Sequence, residues 1–437
     1  SPDGKLNINI CTEKALTWSI EQQGDTVILP SAIALKIRED RPNGTETTWG
    51  NPVKVSKASE KEIRTSFSTP FYKRTVVKDQ YNQLLLKCKG GYSIEFRAYD
   101  DGAAYRFILE QRKPMLIEQE TAEFNFTADH QAFIPYVNDN RGGERYCYPF
   151  ESYYDECKLS EMIPDSLAIT PLMVDLGNGH KAVIMDAGVE NYPGMFLLRN
   201  NDKPHALTAT FAPYPLEETV GGHNRLNLVP TRRADYLAHT DARQTLPWRV
   251  VIVSEKDTQL ADNDMAQRLA PACRLTDTSW IIPGKVAWDW WNACNLTGVD
   301  FKAGINTPTY KAYIDFAAEN HLEYIIIDEG WSSPENLLDV NPEIDLEALI
   351  AYGNQKNVGI ILWSSWRNAI KDTDNTFKHY SKLGIKGFKI DFFDRDDQPV
   401  IRSMYELAQK AADNHLVLDY HGIKPGGIQR AYPNILN

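Results

Sequence analysis

Asp391 closes the apolar run Gly387-Phe388-Lys389-Ile390 and stands two residues from Lys389, so on an extended strand the two side chains leave the same face. A cation at that spacing holds a carboxylate ionised at neutral pH. An ionised, immobilised carboxylate is what attack on an anomeric carbon developing oxocarbenium character requires. A purely structural Lys–Asp pair at a strand end satisfies the same spacing. Asp328-Glu329-Gly330-Trp331 follows a second apolar run and offers carboxylates to sugar hydroxyls and an indole to a sugar ring, or else only a turn. Trp288-Asp289-Trp290-Trp291, and Trp363 and Trp366 around Ser364-Ser365, carry two readings of the same kind, stacking platform or core packing. Alternation lets only one face of the first cluster point inward, so at least one of its rings is expected to pack. Of the nine histidines only His421 falls at such a strand end. Asp394-Arg395-Asp396-Asp397-Gln398-Pro399 directly precedes a helical pattern, and Asp396 and Asp397 read as helix caps.

The elements that must carry these residues alternate. Apolar runs of strand length at 286–291, 324–328, 359–363, 387–391 and 416–420 are separated by helical periodicity at 310–320, 346–357, 372–383 and 400–414. Strands apolar on both faces imply a parallel sheet covered by helices. Nearly every run ends in a chemically capable group, which is the arrangement of a barrel mouth. No G-x-G-x-x-G or G-x-x-x-x-G-K-[ST] follows the first run, which weighs against a doubly wound nucleotide-binding sheet. A (β/α)8 barrel is therefore expected over 284–437, cut after about five of its strands. Such a cut would leave sheet edges open. Residues 1–255 read instead as short alternating strands, such as Tyr92, Ile94, Phe96 and Ala98, a turn at Asp100-Asp101-Gly102, then Ala103, Tyr105, Phe107 and Leu109. This predicts a large antiparallel β-sandwich, joined to the barrel by a linker with a helix over 256–283.

Composition bounds the ligands. Of 437 residues, 42% are hydrophobic, 24% charged and 11% aromatic, the balance of a folded chain of two or three domains. Lys plus Arg number 47 and Asp plus Glu 59, a net charge of −12 that disfavours nucleic acid and acidic membranes and leaves neutral small molecules. No run approaches the roughly 18 apolar residues of a transmembrane helix. Ser1-Pro2-Asp3-Gly4 reads as a mature end. The six cysteines show neither C-x-x-C nor zinc spacing and read as mostly free thiols. The 10 Trp and 21 Tyr supply flat rings of the kind on which sugar faces stack.

Pro283-Gly284-Lys285, residues 288–291, 324–331, 359–366, 388–398 and 421–430, then Tyr432-Pro433-Asn434, together resemble glycoside hydrolase family 97. The resemblance implies a β-super-sandwich, a (β/α)8 barrel and a small β domain after it. More loosely, the chain is similar to the family 27 and 36 α-galactosidases, which share a strand ending Lys-x-Asp with the Asp as nucleophile. The family's inverting α-glucosidase branch lacks an acid where Asp391 stands and carries a base Glu immediately after the residue matching His421. This chain has Asp391 and, in that second place, Gly422. It therefore resembles the retaining branch, which implies an exo-acting α-galactosidase with Asp391 as nucleophile. By the same resemblance the acid/base Glu is expected just beyond Asn437, and Asp328, Trp331, Trp363, Lys389 and His421 are expected sugar contacts. The family also implies a calcium ion, with Glu151 of Pro149-Phe150-Glu151-Ser152-Tyr153 as one ligand and most others downstream. It implies a periplasmic or secreted enzyme acting on an oligosaccharide or small α-galactoside. An α-glucosidase of the same family and a non-catalytic sugar-binding protein remain alternatives.

Overall fold

A computed structural model describes residues 1–436. The N-terminal half packs a nine-stranded against a ten-stranded sheet. The long strand Asp25–Glu39 pairs antiparallel with Met115–Asn125 in the first, and Val55–Ser68 with Val76–Cys88 in the second. Trp18, Ile94, Phe96, Tyr105 and Phe124 fill the space between them. The expected hairpin is present, Tyr92–Tyr99 pairing with Gly102–Glu110 through the turn at Asp100 and Asp101. Its second face is not solvated as alternation suggests: Tyr99, Ala104 and Trp248 form a further core cluster under Met265 and Leu269 of the connector. Glu95 is buried on that hairpin because Arg97 and Arg106 both pair with it, at 2.8 and 2.7 Å.

One ion pair crosses the sandwich. Arg249 of Trp248–Ser254 reaches Glu120 of Met115–Asn125 through two parallel bonds of 2.6 and 2.7 Å, and Tyr192 donates to the same carboxylate at 2.8 Å. Both charged residues are buried.

Beyond two five-residue helices, Asp257–Ala261 and Met265–Leu269, the chain enters its second half. Here β1 (Val286–Trp288), β2 (Tyr324–Ile327), β3 (Gly359–Ser365), β4 (Gly387–Asp391) and β5 (Val417–Tyr420) form one parallel sheet in chain order. Between them run α1 (Thr307–Glu319), α2 (Leu346–Lys356), α3 (Thr373–Leu383) and α4 (Gln398–Asp413). Capping follows local chemistry: Asn306 accepts from the Thr309 N–H, Asp345 from the Ala348 N–H, and Gly384 ends α3 in the left-handed region. Ile325, Ile327, Leu362, Phe388 and Ile390 face the helices, whereas Tyr324, Ile326, Ile361 and Val417 meet Ile281 on the opposite face. Lys389 and Asp391 occupy that second face by the same alternation. Among the described residues the sheet is open, and no helix is long and apolar enough to cross a membrane. None of the six cysteines forms a disulfide.

The two halves interlock through buried charge, and this corrects the expected caps. Asp397 is the N-cap of α4 but makes no side-chain cap bond. Its carboxylate accepts from Arg395 at 2.8 Å and from Arg233 of the N-terminal half at 3.1 Å. Asp396 pairs with Lys424 at 2.6 Å. Arg395, fully buried, also reaches Glu218 at 2.6 Å and the Leu228 carbonyl at 2.7 Å. Glu218, Leu228 and Arg233 belong to a two-stranded arm, Pro215–Gly221 and Asn227–Arg233, lying outside both large sheets. Burial between the halves leaves these carboxylates no water, so cationic side chains take the place of the helix amides.

The cross-sandwich pair yields a stability prediction. Glu120→Ala leaves the Arg249 charge buried without its carboxylate and is expected to cost about 3–5 kcal/mol in urea unfolding. Glu120→Leu with Arg249→Met is expected to recover most of that loss, and a single variant as stable as the parent contradicts the account.

Candidate active site

The C-terminal ends of β2, β4 and β5 bring together the residues that the spacing singled out. Lys389 Nζ donates to Asp391 Oδ2 at 3.0 Å and to Asp328 Oδ2 at 2.9 Å, and lies 4.7 Å from the Trp288 ring centroid. Its side chain is only 3% exposed, so one ammonium is shared by two carboxylates under an indole face. Asp391 receives four donors: Lys389 and Trp363 Nε1 (3.2 Å) on Oδ2, and the Phe392 N–H (2.7 Å) and His421 Nδ1 (3.1 Å) on Oδ1. Asp328 accepts from Trp288 Nε1 at 2.6 Å and from the Glu329 N–H at 2.8 Å, besides Lys389.

Burial works against ionisation of Asp391, but the His421 hydrogen bond and the Lys389 charge outweigh it and hold the carboxyl well below the usual range. His421 is raised, first by its bond to Asp391 and with burial opposing. Lys389 is raised although burial opposes it, because Asp391 and Asp328 favour the cation. Two nearby carboxyls are pushed the opposite way, Glu329 by burial and then by the Asp328 charge, and Asp419 by burial. Asp394 rises to about 6, by burial foremost and with the Asp391 charge adding to it. Among these acids, the site therefore singles out Asp391 as the one whose pKa is driven down.

Two expected contacts need correction or a changed role. Trp331 is 0% exposed; its N–H donates to the Trp363 carbonyl at 2.8 Å and its ring meets Tyr380 edge-on at 5.4 Å. Gly330, at φ +108°, turns the chain back so that this indole enters the helix-side core and presents no face to a sugar. Trp363 is also buried and acts as a hydrogen-bond donor to Asp391 rather than as an open platform. Glu151 does reach the mouth, 3.7 Å from His421 Nδ1. Among the described residues, however, no three His, Cys, Asp or Glu side chains are grouped to hold a metal ion. Most of the calcium ligands that the resemblance implies, like the expected acid/base beyond Asn437, lie outside the described residues.

Sequence reasoning left two participants without separate roles inside the 288–291 cluster and missed two more. Trp288 was recognised only as one of a cluster, and it is the ring that covers Lys389. Asp289, fully buried, accepts the Asp328 N–H at 3.1 Å and the Tyr310 hydroxyl at 2.9 Å; burial raises its carboxyl to about 6. From the N-terminal half, His223 stacks on Phe392 at 5.6 Å and Asn227 donates to the Phe392 carbonyl at 3.0 Å. The Trp-Asp juxtaposition at 288–289 is a visible signal, whereas nothing near residues 223–227 marks them.

Gly422 adds a steric fact. It adopts φ +63°, and a Cβ there would stand 2.7 Å from the Pro149 carbonyl oxygen. A side chain at this place is therefore doubly disfavoured.

Two measurements check this geometry. Trp331→Phe removes one buried hydrogen bond and is expected to lower stability by about 1–2 kcal/mol while leaving sugar affinity within about twofold. A large affinity loss would return Trp331 to the binding surface. Asp391, depressed in the fold, adds stability above the unfolded carboxyl pKa of about 4 and loses it as pH falls through its folded value. His421, raised, adds stability below about 6.5 and loses it as pH rises through its folded value. His421→Ala is accordingly expected to move the onset of acid destabilisation to higher pH, and an unmoved onset contradicts the pairing.

Both halves of the chain match known proteins. The family described as Glycosyl-hydrolase 97 N-terminal matches residues 1–271, and Glycoside hydrolase 97 matches residues 290–437. A retaining alpha-galactosidase of Bacteroides thetaiotaomicron is 42% identical over 443 residues, covering 100% of this chain and 66% of its own length. A probable retaining alpha-galactosidase of Streptomyces bingchenggensis is 25% identical, covering 100% of this chain and 63% of its own length. This chain thus spans just under two thirds of the curated relatives it matches. A glycoside hydrolase family 97 enzyme from Pseudoalteromonas sp. strain K8, solved with acarbose, shares the fold at a TM-score of 0.83 and 23% identity, over 99% of this chain and 67% of its own. With both halves matched in order, the chain belongs to glycoside hydrolase family 97.

Proposed function

We propose that this protein is a retaining, exo-acting α-galactosidase in which Asp391 is the nucleophile. The observation that carries the reading is the Asp391 carboxylate itself, held ionised by four donors at a strand end. A second observation concerns Gly422: the left-handed backbone and the Pro149 carbonyl leave no room there for the base carboxylate of an inverting enzyme. Likeness to the Bacteroides thetaiotaomicron retaining alpha-galactosidase supports the same choice. The parallel sheet in chain order supports reading the second half as the first five units of a (β/α)8 barrel.

In this mechanism Asp391 attacks C1 of the terminal α-galactosyl unit from the face opposite the leaving group. The C1–O bond breaks, its electron pair passes to the glycosidic oxygen, and a carboxylic acid protonates that oxygen. A β-galactosyl ester of Asp391 results. Water, deprotonated by the same carboxyl, then attacks C1 and frees Asp391, so two inversions give net retention. The acid/base is a Glu beyond Asn437, placed about 5–5.5 Å from the nucleophile. Asp328 and Lys389 read the axial hydroxyl, since a buried polar group left unpaired by the wrong epimer penalises that epimer. His421 and Trp363 hold the nucleophile. The substrate is an oligosaccharide or small α-galactoside met in the periplasm or outside the cell, a reading supported by the family resemblance.

The test is proton NMR of p-nitrophenyl α-galactoside hydrolysis by the full-length protein, with the α-glucoside run alongside. α-Galactose is expected to appear before mutarotation. Early β-sugar, or preference for the glucoside, overturns the assignment, and binding without hydrolysis makes the protein a lectin. Asp391→Asn is expected to lose at least ~10³-fold in kcat, with azide rescuing turnover as β-galactosyl azide.

A further inference from the structure

The residue after the nucleophile is held in a conformation that its own side chain does not favour. Phe392 takes φ +57° and Asp394 φ +50°, both in the left-handed region, where a bulky residue such as phenylalanine is an outlier. The bend has a consequence at the site, since it aims the Phe392 N–H at Asp391 Oδ1, 2.7 Å away. With the chain held on both sides, returning Phe392 to a commoner φ requires the Asp391–Phe392 peptide to rotate, which would carry that N–H off the carboxylate.

What restrains the bend comes from the other half of the chain. Asn227, 1% exposed at the start of the arm strand Asn227–Arg233, uses Nδ2 twice: it donates to the Phe392 carbonyl at 3.0 Å and to Asp394 Oδ2 at 2.8 Å. Its own Oδ1 is buried without a hydrogen-bond partner. Both neighbours are acceptors, so the carboxamide is oriented for its two protons and its oxygen goes unmatched. Gly222, at φ +71°, leaves space for that oxygen, because a Cβ there would overlap it. Leaving a buried acceptor unpaired is costly and uncommon, which marks the donation as the purpose of the residue. His223 flattens against the Phe392 ring with the planes 5° apart. Arg141 Nε stands 3.3 Å from Asp394 Oδ2, and the Tyr148 N–H donates to the Asp394 carbonyl at 2.6 Å. Those contacts fix Asp394, whereas Asn227 alone of the three bridges it to the Phe392 carbonyl.

We propose that Asn227 is a positioning residue for the nucleophile: by tying the Phe392 carbonyl to Asp394 it keeps the peptide after Asp391 in its left-handed bend, so that the Phe392 N–H fixes the orientation of the attacking carboxylate. The inference rests on the reading of Asp391 as a glycosidic nucleophile. It gives the N-terminal half a share in the reaction without any contact with the sugar.

Asn227→Asp retains the shape and offers no proton to the Phe392 carbonyl. Combining it with Asp394→Asn preserves net charge and restores the bond between positions 227 and 394, but not the bond to Phe392. With α-galactosyl fluoride, both the single and the double variant are expected to lose about 10²-fold in kcat with KM within about threefold. The acid limb of kcat/KM is expected to move to higher pH in both. The double variant alone should regain the thermal midpoint of the parent. Recovery of kcat in the double variant, or an unmoved acid limb with kcat within about twofold in the single variant, overturns the proposal. A ¹³C NMR titration of the Asp391 carboxyl reads the same point without turnover: its midpoint rises in both variants, and an unchanged midpoint overturns the claim. Failure of the parent protein to cleave the fluoride, with the midpoint still shifted in the variants, overturns the glycosidase reading and not the positioning role.

Discussion

One buried ammonium governs the site. Lys389 is removed from water beneath Trp288 and can remain charged there only because Asp328 and Asp391 both face it. Carboxylates so close would repel each other without it, and the cation would shed its proton without them. The arrangement therefore requires two strand ends in fixed register. Parallel pairing sets Trp363 beside Lys389 and Ser365 beside Asp391, while β2, which Asp328 directly follows, flanks β3 on its other side. A slip of one residue in β4 would turn Lys389 and Asp391 into the helix-side core and bring Phe388 and Ile390 to the mouth. Register, and with it the hydrophobic packing on α3 and α4, is thus inseparable from the chemistry.

Around this centre the protein separates carboxyls by environment. Asp391 has four hydrogen-bond donors and stays anionic; Glu329, Asp419, Asp394 and Asp289 are raised by burial. A site in which every acid were ionised would repel itself. Pushing neighbouring pKa values apart assigns roles to residues of identical chemistry. Asp289 extends the scheme one layer deeper, since its carboxylate fixes the Asp328 backbone and is itself fixed by Tyr310.

The N-terminal sandwich is more than a preceding domain. Its arm supplies Glu218, Asn227, Leu228 and Arg233 to the loop that follows Asp391, and its 149–151 segment closes on Gly422 and His421. A loop carrying Asp394, Arg395, Asp396 and Asp397 within the interior would be untenable alone, because each charge needs a counter-charge once water is excluded. The two halves accordingly wall the candidate site together, and Val189 and Leu226 of the first half join the hydrophobic core of the second.

Much of this was legible in the chain. The pleat repeats every two residues, so Lys389 and Asp391 had to share a face, and the alternation of apolar runs with helical periods announced five parallel strands with polar ends. The family resemblance was likewise carried by contiguous motifs. Trp331 was misread because its distance from Asp328 in sequence is short, yet Gly330 reverses the chain and sends the indole into the core. Asp396 and Asp397 were misread because a cap and a buried ion pair look alike until the partner is known. The sequence by itself determined which side chains leave one strand face and which segments are strands, because those depend on interactions within a few residues. Only the tertiary structure decided that Asn227 would bond the Phe392 carbonyl after Asp391 and that Arg233 would pair with Asp397. Those partners are 165 and 164 residues apart, and neither segment carries a local mark of the other.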